Sequence, residues 1–408
     1  MHRYLLLLAC AALPGRAQMN MDMGGMNMAG MLLMQQASGT SMNPQSWRMP
    51  MFMPVEGAWR LMFMGEGFLL DTQQSGPRGG DKFYSVNWFM GTATRRLGRG
   101  SLTITTMLSF EPATVTGRRY PELFQTGETA FGKPILDGQH PHNFVMELGV
   151  TYARPIGGGT FLELYAAPVG DPALGPVAFP HRASASELPE APLGHHWEDS
   201  THISYDVVTA ALKRRWARLE ASGFHGAEPG ENRWTIGHGA IDSWSTRFSA
   251  MPTANWMAQV SVGRLTHPEA LEPGDVVRAT ASVHYSRPVG GRSWSSSFIW
   301  GRNHETATHR DLDALLAETV VPVRGGNFLT GRWELVDKDE LLPSGEVFRI
   351  GAYTGGVTHD LPPVIPGVEA GIGANATTYT LPAALHPYYG SRPFGVDVFL
   401  RFRLKPAH

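Results

Sequence analysis

The chain has 408 residues with 34 basic and 36 acidic side chains, a formal net charge of −2 that gives no attraction for nucleic acid or for an acidic partner. Charged residues are only 17%, aromatics 10%, and there are 47 glycines and 30 prolines, a mixture suited to many short strands joined by turns. Length alone allows either two or three globular domains or one large all-β barrel.

In chain order, the first predicted element is a Sec signal peptide over residues 1–17. His2 and Arg3 precede the apolar run Leu5–Leu8 and Ala9–Leu13, and Gly15-Arg16-Ala17 supplies the small-x-small cleavage site. A lipoprotein signal at Cys10 is the alternative, although the apolar run before it is shorter than the ~7–15 residues of such a region. Cys10 is the single cysteine, so cleavage at Ala17 excludes disulfides, thiolate zinc sites and cysteine nucleophiles from the mature chain.

Residues 18–54 read as a methionine-rich periplasmic arm carrying Met19, Met21, Met23, Met26, Met28, Met31 and Met34, then Met49, Met51 and Met53. Its Gly, Asn, Ser and Pro content predicts a largely disordered segment when no ligand is bound. Thioethers are soft, neutral ligands that suit Cu(I) or Ag(I) rather than Zn(II), Mg(II) or Ca(II). The i, i+2 spacing at Met19-Met21-Met23 and at Met49-Met51-Met53 puts the sulfurs on one side of an extended chain.

From Val55 to Leu404 the pattern becomes alternation, the period of a half-buried strand. Val277, Ala279, Ala281, Val283 and Tyr285 make one face against Arg278, Thr280, Ser282, His284 and Ser286. Strands are predicted at 55–71, 81–97, 100–110, 143–154, 159–167, 200–212, 215–226, 241–251, 254–263, 276–287, 292–301, 313–323, 326–337, 346–360, 366–378 and 394–404. That is about sixteen, within a range of 14–18. Tight turns such as Gly98-Arg99 alternate with longer loops, two of them around 111–142 and 168–199. Short periplasmic turns against long outer loops are the asymmetry of a bacterial barrel. No stretch after the leader reaches the ~18 apolar residues of a spanning helix.

The predicted fold is therefore an all-β, transmembrane antiparallel β-barrel over 55–404, in the lipid of a Gram-negative outer membrane; a soluble β-sandwich is the alternative. Trp59, Tyr84, Trp88, Tyr152, Tyr205, Trp256, Tyr285, Trp294, Trp300 and Trp333 are assigned to interface girdles. Glu147, Glu163, Asp206, Arg218, Glu220, Arg278, Arg332, Glu334, Arg349, Asp397, Arg401 and Arg403 are assigned to the lumen, as a hydrated passage or a wall braced by ion pairs.

His140 and His142, in Asp137-Gly138-Gln139-His140-Pro141-His142, and the pair His195-His196 near Glu198 and Asp199 are candidate ligands for a borderline divalent ion. The segment 120–142 is the candidate for a loop folded into the mouth. Neither Gly-x-Ser-x-Gly nor His-Glu-x-x-His occurs, so no catalytic residue is assigned and a non-enzymatic protein is expected. A secreted barrel with a methionine-rich N-terminus resembles the outer-membrane B component of bacterial copper-resistance systems, on Met19, Met21, Met23, Met26, Met28, Met31 and Met34. Those proteins usually interleave His with Met in the arm, and here no His lies between His2 and His140. The resemblance implies metal tolerance, soft ions as cargo, a bound copper ion, and periplasmic copper proteins as partners. The alternative is a general porin-like barrel whose methionines are incidental.

Overall fold

A computed structural model describes residues 36–404 with the exception of Arg48. The alternating segments form strands in chain order: β1 (Val55–Glu56), β2 (Trp59–Gln74), β3 (Gly80–Leu97), β4 (Gly100–Leu108), β5 (Tyr120–Ala130), β6 (Lys133–Gln139), β7 (Val145–Gly157), β8 (Thr160–Gly170), β9 (Ser204–Arg214) and β10 (Ala217–His225). They continue as β11 (Ser243–Thr253), β12 (Trp256–Leu265), β13 (Val276–Val289), β14 (Arg292–Glu305), β15 (Arg310–Val323), β16 (Asn327–Lys338), β17 (Phe348–Asp360), β18 (Val368–Thr380) and β19 (Phe394–Leu404). Each wall strand pairs antiparallel with its chain neighbour, β4 pairs with β7, and β19 pairs with β2 from Gly395↔Gln74 to Arg403↔Glu66. The ring of sixteen long strands is thereby closed, and every wall strand satisfies its backbone sideways, as a lipid-spanning sheet requires.

Closure without lipid would leave a band of unpaid apolar exposure. Leu69, Phe83, Phe89, Val150, Leu212, Val260, Phe298, Val357 and Val398 all point outward and are exposed. Trp256, Tyr285 and Trp294 pack in tilted and edge-on contacts at 4.7 and 5.7 Å on the outer face near the short turns, where an aromatic girdle sits. Three of the residues assigned to girdles are on the other face. Tyr84, Trp88 and Tyr205 are buried and point into the lumen, packed against the segments that fill it, because alternation alone does not say which parity faces lipid.

Most of the predicted lumenal charges are buried inside, and several pair, Arg218 with Glu163, Arg332 with Glu318 and Arg401 with Glu187, while Glu334 and Asp397 line an acidic pocket with Glu122 and Glu190. Part of the wall is thus braced by ion pairs. Two assignments differ. Arg349 lies on the exposed side against Asp337, and Asp206 takes a positive φ of 51° near the rim, close to His238.

Three segments occupy the interior. The first is the end of the N-terminal arm: residues 37–43 are buried, with Ser38 Oγ donating to Asp171 and Arg218 and Arg247 donating to Thr40. Met49, Met51 and Met53 follow, the last two flanking Phe52, which pairs with Phe63 on β2, whereas Met19, Met21, Met23, Met26, Met28, Met31 and Met34 lie outside the described residues. The second is the β5–β6 hairpin, within the loop expected to fold into the mouth. The third is the loop 171–203, expected only as an outer connection. Its five prolines and many alanines make it compact, and it is tied to the wall strand by strand. Ser222 on β10, Ser261 on β12, Arg278 on β13, Ser297 on β14, Glu318 on β15 and Arg401 on β19 each hydrogen-bond to it.

Candidate metal centre

The two inner loops bring together histidines that are distant in sequence. His140 and His142 follow β6, while His195 and His196 open a single helical turn and His202 closes the next short turn. All five are buried. Ring centroids lie 5.1 Å apart for His195–His196, 5.2 Å for His142–His202, 5.4 Å for His195–His202 and 5.6 Å for His140–His196. One nitrogen each from His140, His195 and His196 falls in a group whose members are all within 4.8 Å of one another.

The outward nitrogens of His202 and His195 are fixed by acceptors, which sets their tautomers. His202 Nδ1 donates to the Asp199 carbonyl at 2.9 Å and His195 Nδ1 to the Asp199 carboxylate at 2.6 Å, while His140 faces acceptors at both nitrogens, Nδ1 3.2 Å from the Pro141 carbonyl and Nε2 3.0 Å from Glu128. Burial alone would raise the Asp199 carboxyl, but the facing His195 and the Arg182 guanidinium hold it well below the usual carboxylate range, so it accepts. His142 Nδ1 lies 2.8 Å from Glu111 Oε1, and its own backbone N–H donates to Glu111 Oε2. The opposite nitrogens, His142 Nε2 and His202 Nε2, are buried without a hydrogen-bond partner, as are both nitrogens of His196. His196 Nδ1 sits 3.4 Å from Glu228. A carboxylate or carbonyl behind four of the five imidazoles is the kind of bracing that orients histidines on a transition-metal ion.

The charges agree. Glu111, Glu128, Asp199 and Glu228 surround the five rings, with Arg233 paired to Glu128 and Arg182 to Asp199. With Arg278 donating to the His196 carbonyl, four carboxylates face three guanidiniums, an excess of negative charge that favours a cation. Burial, with mutual repulsion among the rings, pushes His140 well below the ordinary imidazole range, and burial lowers His195 to about 4. Neutral imidazoles are the ligand form, and they suit copper, zinc, iron and nickel.

The hairpin is bent to deliver its part. Phe124, Glu128 and Asp137 have φ of 66°, 61° and 54°, a left-handed conformation that bulky residues adopt only under constraint. These bends stack Phe124 on Tyr389 at 4.2 Å and bring Glu128 to 3.0 Å from His140 Nε2. Gly127 has φ of 112°, and a Cβ there would sit 2.7 Å from the His196 ring. Gly127→Ala therefore displaces His196 at a cost of about 1–3 kcal/mol. We expect at least tenfold weaker metal binding with unchanged heat-modified migration; undiminished affinity would show that His196 is not a ligand.

Of the sequence-predicted ligands, His140 and His142 are both in the cluster, and the pair His195-His196 joins them. His202, Glu111, Glu128 and Glu228 as partners were not foreseen, since nothing local in sequence reports a contact across a barrel lumen.

No protein-family model and no curated protein sequence matches the chain. Among solved structures, the anion-selective porin from Comamonas acidovorans is similar with a TM-score of 0.52 at 10% identity, over 85% of this chain and 100% of that one. The OmpF of Salmonella typhi, solved with daunomycin, is similar with a TM-score of 0.53 at 7% identity, over 86% of this chain and 100% of that one. At such identities the likeness concerns the backbone, and the chain has the fold of these porin-like outer-membrane barrels.

Proposed function

We propose that this porin-like barrel is a non-enzymatic metal-handling protein of the outer membrane, holding a transition-metal ion of the copper class inside its lumen. The observation that carries the reading is the buried set of five histidines, each but one braced by a hydrogen bond to a carboxylate or backbone carbonyl. Copper fits because imidazole binds both of its oxidation states, and the thioethers of the arm add a soft ligand at the same protein. Metal tolerance is the role this suggests, with periplasmic copper proteins as the exchanging partners.

The test is Cu(II) added to the purified full chain in detergent and followed by electron paramagnetic resonance. The expected result is one tightly held ion with nitrogen couplings, and loss of that signal in the double substitution His140→Ala/His195→Ala. Equal binding by both proteins would defeat the proposal.

A second reading, a general solute channel, is favoured by the likeness to porins. It requires the inner segments to withdraw, since the lumenal charges are paired across them. Ohmic conductance in planar bilayers that is indifferent to metal would support it.

A further inference from the structure

The lumen holds a second set of metal-ligand side chains, on the wall itself and separate from the histidines. Met64 on β2 is directly opposite Met90 on β3, and Met90 is directly opposite Met107 on β4. All three are buried on the lumenal face. Cross-strand neighbours of this kind have Cβ atoms about 4.5–5.5 Å apart, within reach of one another's thioethers. On the next strand, the register shift between Met107↔Glu147 and Leu108↔Val145 is a bulge that turns Met146 inward as well.

The N-terminal segment completes the set. Phe52 and Phe63 exchange backbone hydrogen bonds of 2.9 and 2.8 Å, extending β2 at the edge that β19 leaves uncovered. That register sets Met51 beside Met64 and Met53 beside Met62, with Phe52 and Phe63 turned outward and exposed. Six of the ten buried residues in this apolar group are methionines, whereas none of the fourteen in the other large lumenal group, around Phe124 and Trp197, is. Methionine used merely as filler gives no reason for that segregation.

We propose that these methionines form a thioether site for a monovalent soft cation, Cu(I) or Ag(I), on the lumenal face of β2, β3, β4 and β7. Neutral sulfur ligands bind such ions without a compensating charge, and the carboxylates lie only at the border of the patch, Glu147 opposite Met107 and Glu66 opposite Trp88. The site adjoins the inner loop at two points. Trp88 belongs to the methionine group and lies 4.3 Å from the His181 ring, whose Nε2 is buried without a partner. Ile203, in the same group, follows His202. The thioether proposal rests on the proposed metal-handling role, but its test does not use the histidines.

The experiment titrates Ag(I), which has no redox chemistry here, into three full-length proteins in detergent. They are the wild type, Met64→Leu/Met90→Leu/Met107→Leu, and a variant with the seven methionines of 19–34 changed to serine. Leucine keeps the volume, so heat-modified migration should be retained. We expect the strand variant to lose one Ag(I) site or weaken it at least tenfold, and the arm variant to keep it. The inference is overturned if the strand variant binds Ag(I) as the wild type does, or if the arm variant alone loses the tightest site. Either result leaves Cu(II) binding at the histidines to be judged by its own substitutions.

Discussion

Arg182→Met should release the inner loop and abolish the proposed metal binding together. Arg182 lies at the middle of the loop with no solvent exposure, donating through Nε to Glu318 on the wall at 2.6 Å and through Nη1 to Asp199 at 2.8 Å. Both carboxylates are equally shut off from water. Removing one member of such a pair leaves uncompensated buried charge, a loss of about 3–5 kcal/mol. Glu318 keeps Arg332 at 3.0 Å, so the burden falls on Asp199, the acceptor that orients His195 and whose carbonyl orients His202. The expected result is protease cleavage within 171–203, conductance where the wild type has little, and no stoichiometric copper. Arg182→Lys, which keeps the charge but not the two-sided geometry, should restore part of the protection. A protease-resistant, copper-binding Arg182→Met protein would mean that the loop is held by packing and not by this pair.

The barrel was legible because alternation over its strands is a local property. Strand β13, with Val277, Ala279, Ala281 and Val283 against Thr280, Ser282 and His284, announces its two faces without any knowledge of neighbours. All sixteen wall strands lie where the pattern put them, to within a few residues at their ends. The lumen was not legible, for the same reason. Trp88 has the same alternating surroundings whether it meets lipid or His181, and Arg182, in a proline-rich loop, carries no periodicity at all. Loops long enough to cross a lumen fold by contacts hundreds of residues away, such as Arg401 to Glu187 or Lys338 to Gln125. The histidine pairs were visible as motifs; only the fold shows that 140–142 and 195–202 face one another. The methionines drew attention to the arm, while those on the wall, one per strand on β3, β4 and β7, form no motif in sequence and appear only through register.

In the metal-free protein, the loop histidines should remain neutral far into the acid range. Burial lowers His181 to about 3 and His195 to about 4, and it lowers His140 and His202 well below the ordinary value of about 6.5. The sign follows from which state binds protons. Between pH 6.5 and 4 a withdrawn, hydrated loop takes up protons at His195 that the inserted loop does not, so this group costs no stability above pH 6.5. It opposes insertion by up to about 3 kcal/mol as the pH falls to 4. Carboxyls in the same filling act oppositely: burial raises Asp171 to about 8 and Asp137 to about 6, so their penalty for insertion is relieved by acid. The two effects overlap in one pH window, which makes the loop far less acid-labile than the histidines alone would. Site-resolved NMR of histidine-labelled protein should therefore show His195 titrating near pH 4 while the loop stays in place, and Cu(II) occupancy persisting at pH 5.5, where exposed imidazole is mostly protonated. A His195 midpoint near 6.5 would show instead that water reaches the cluster, and the case for a dry, preorganised centre would fail with it.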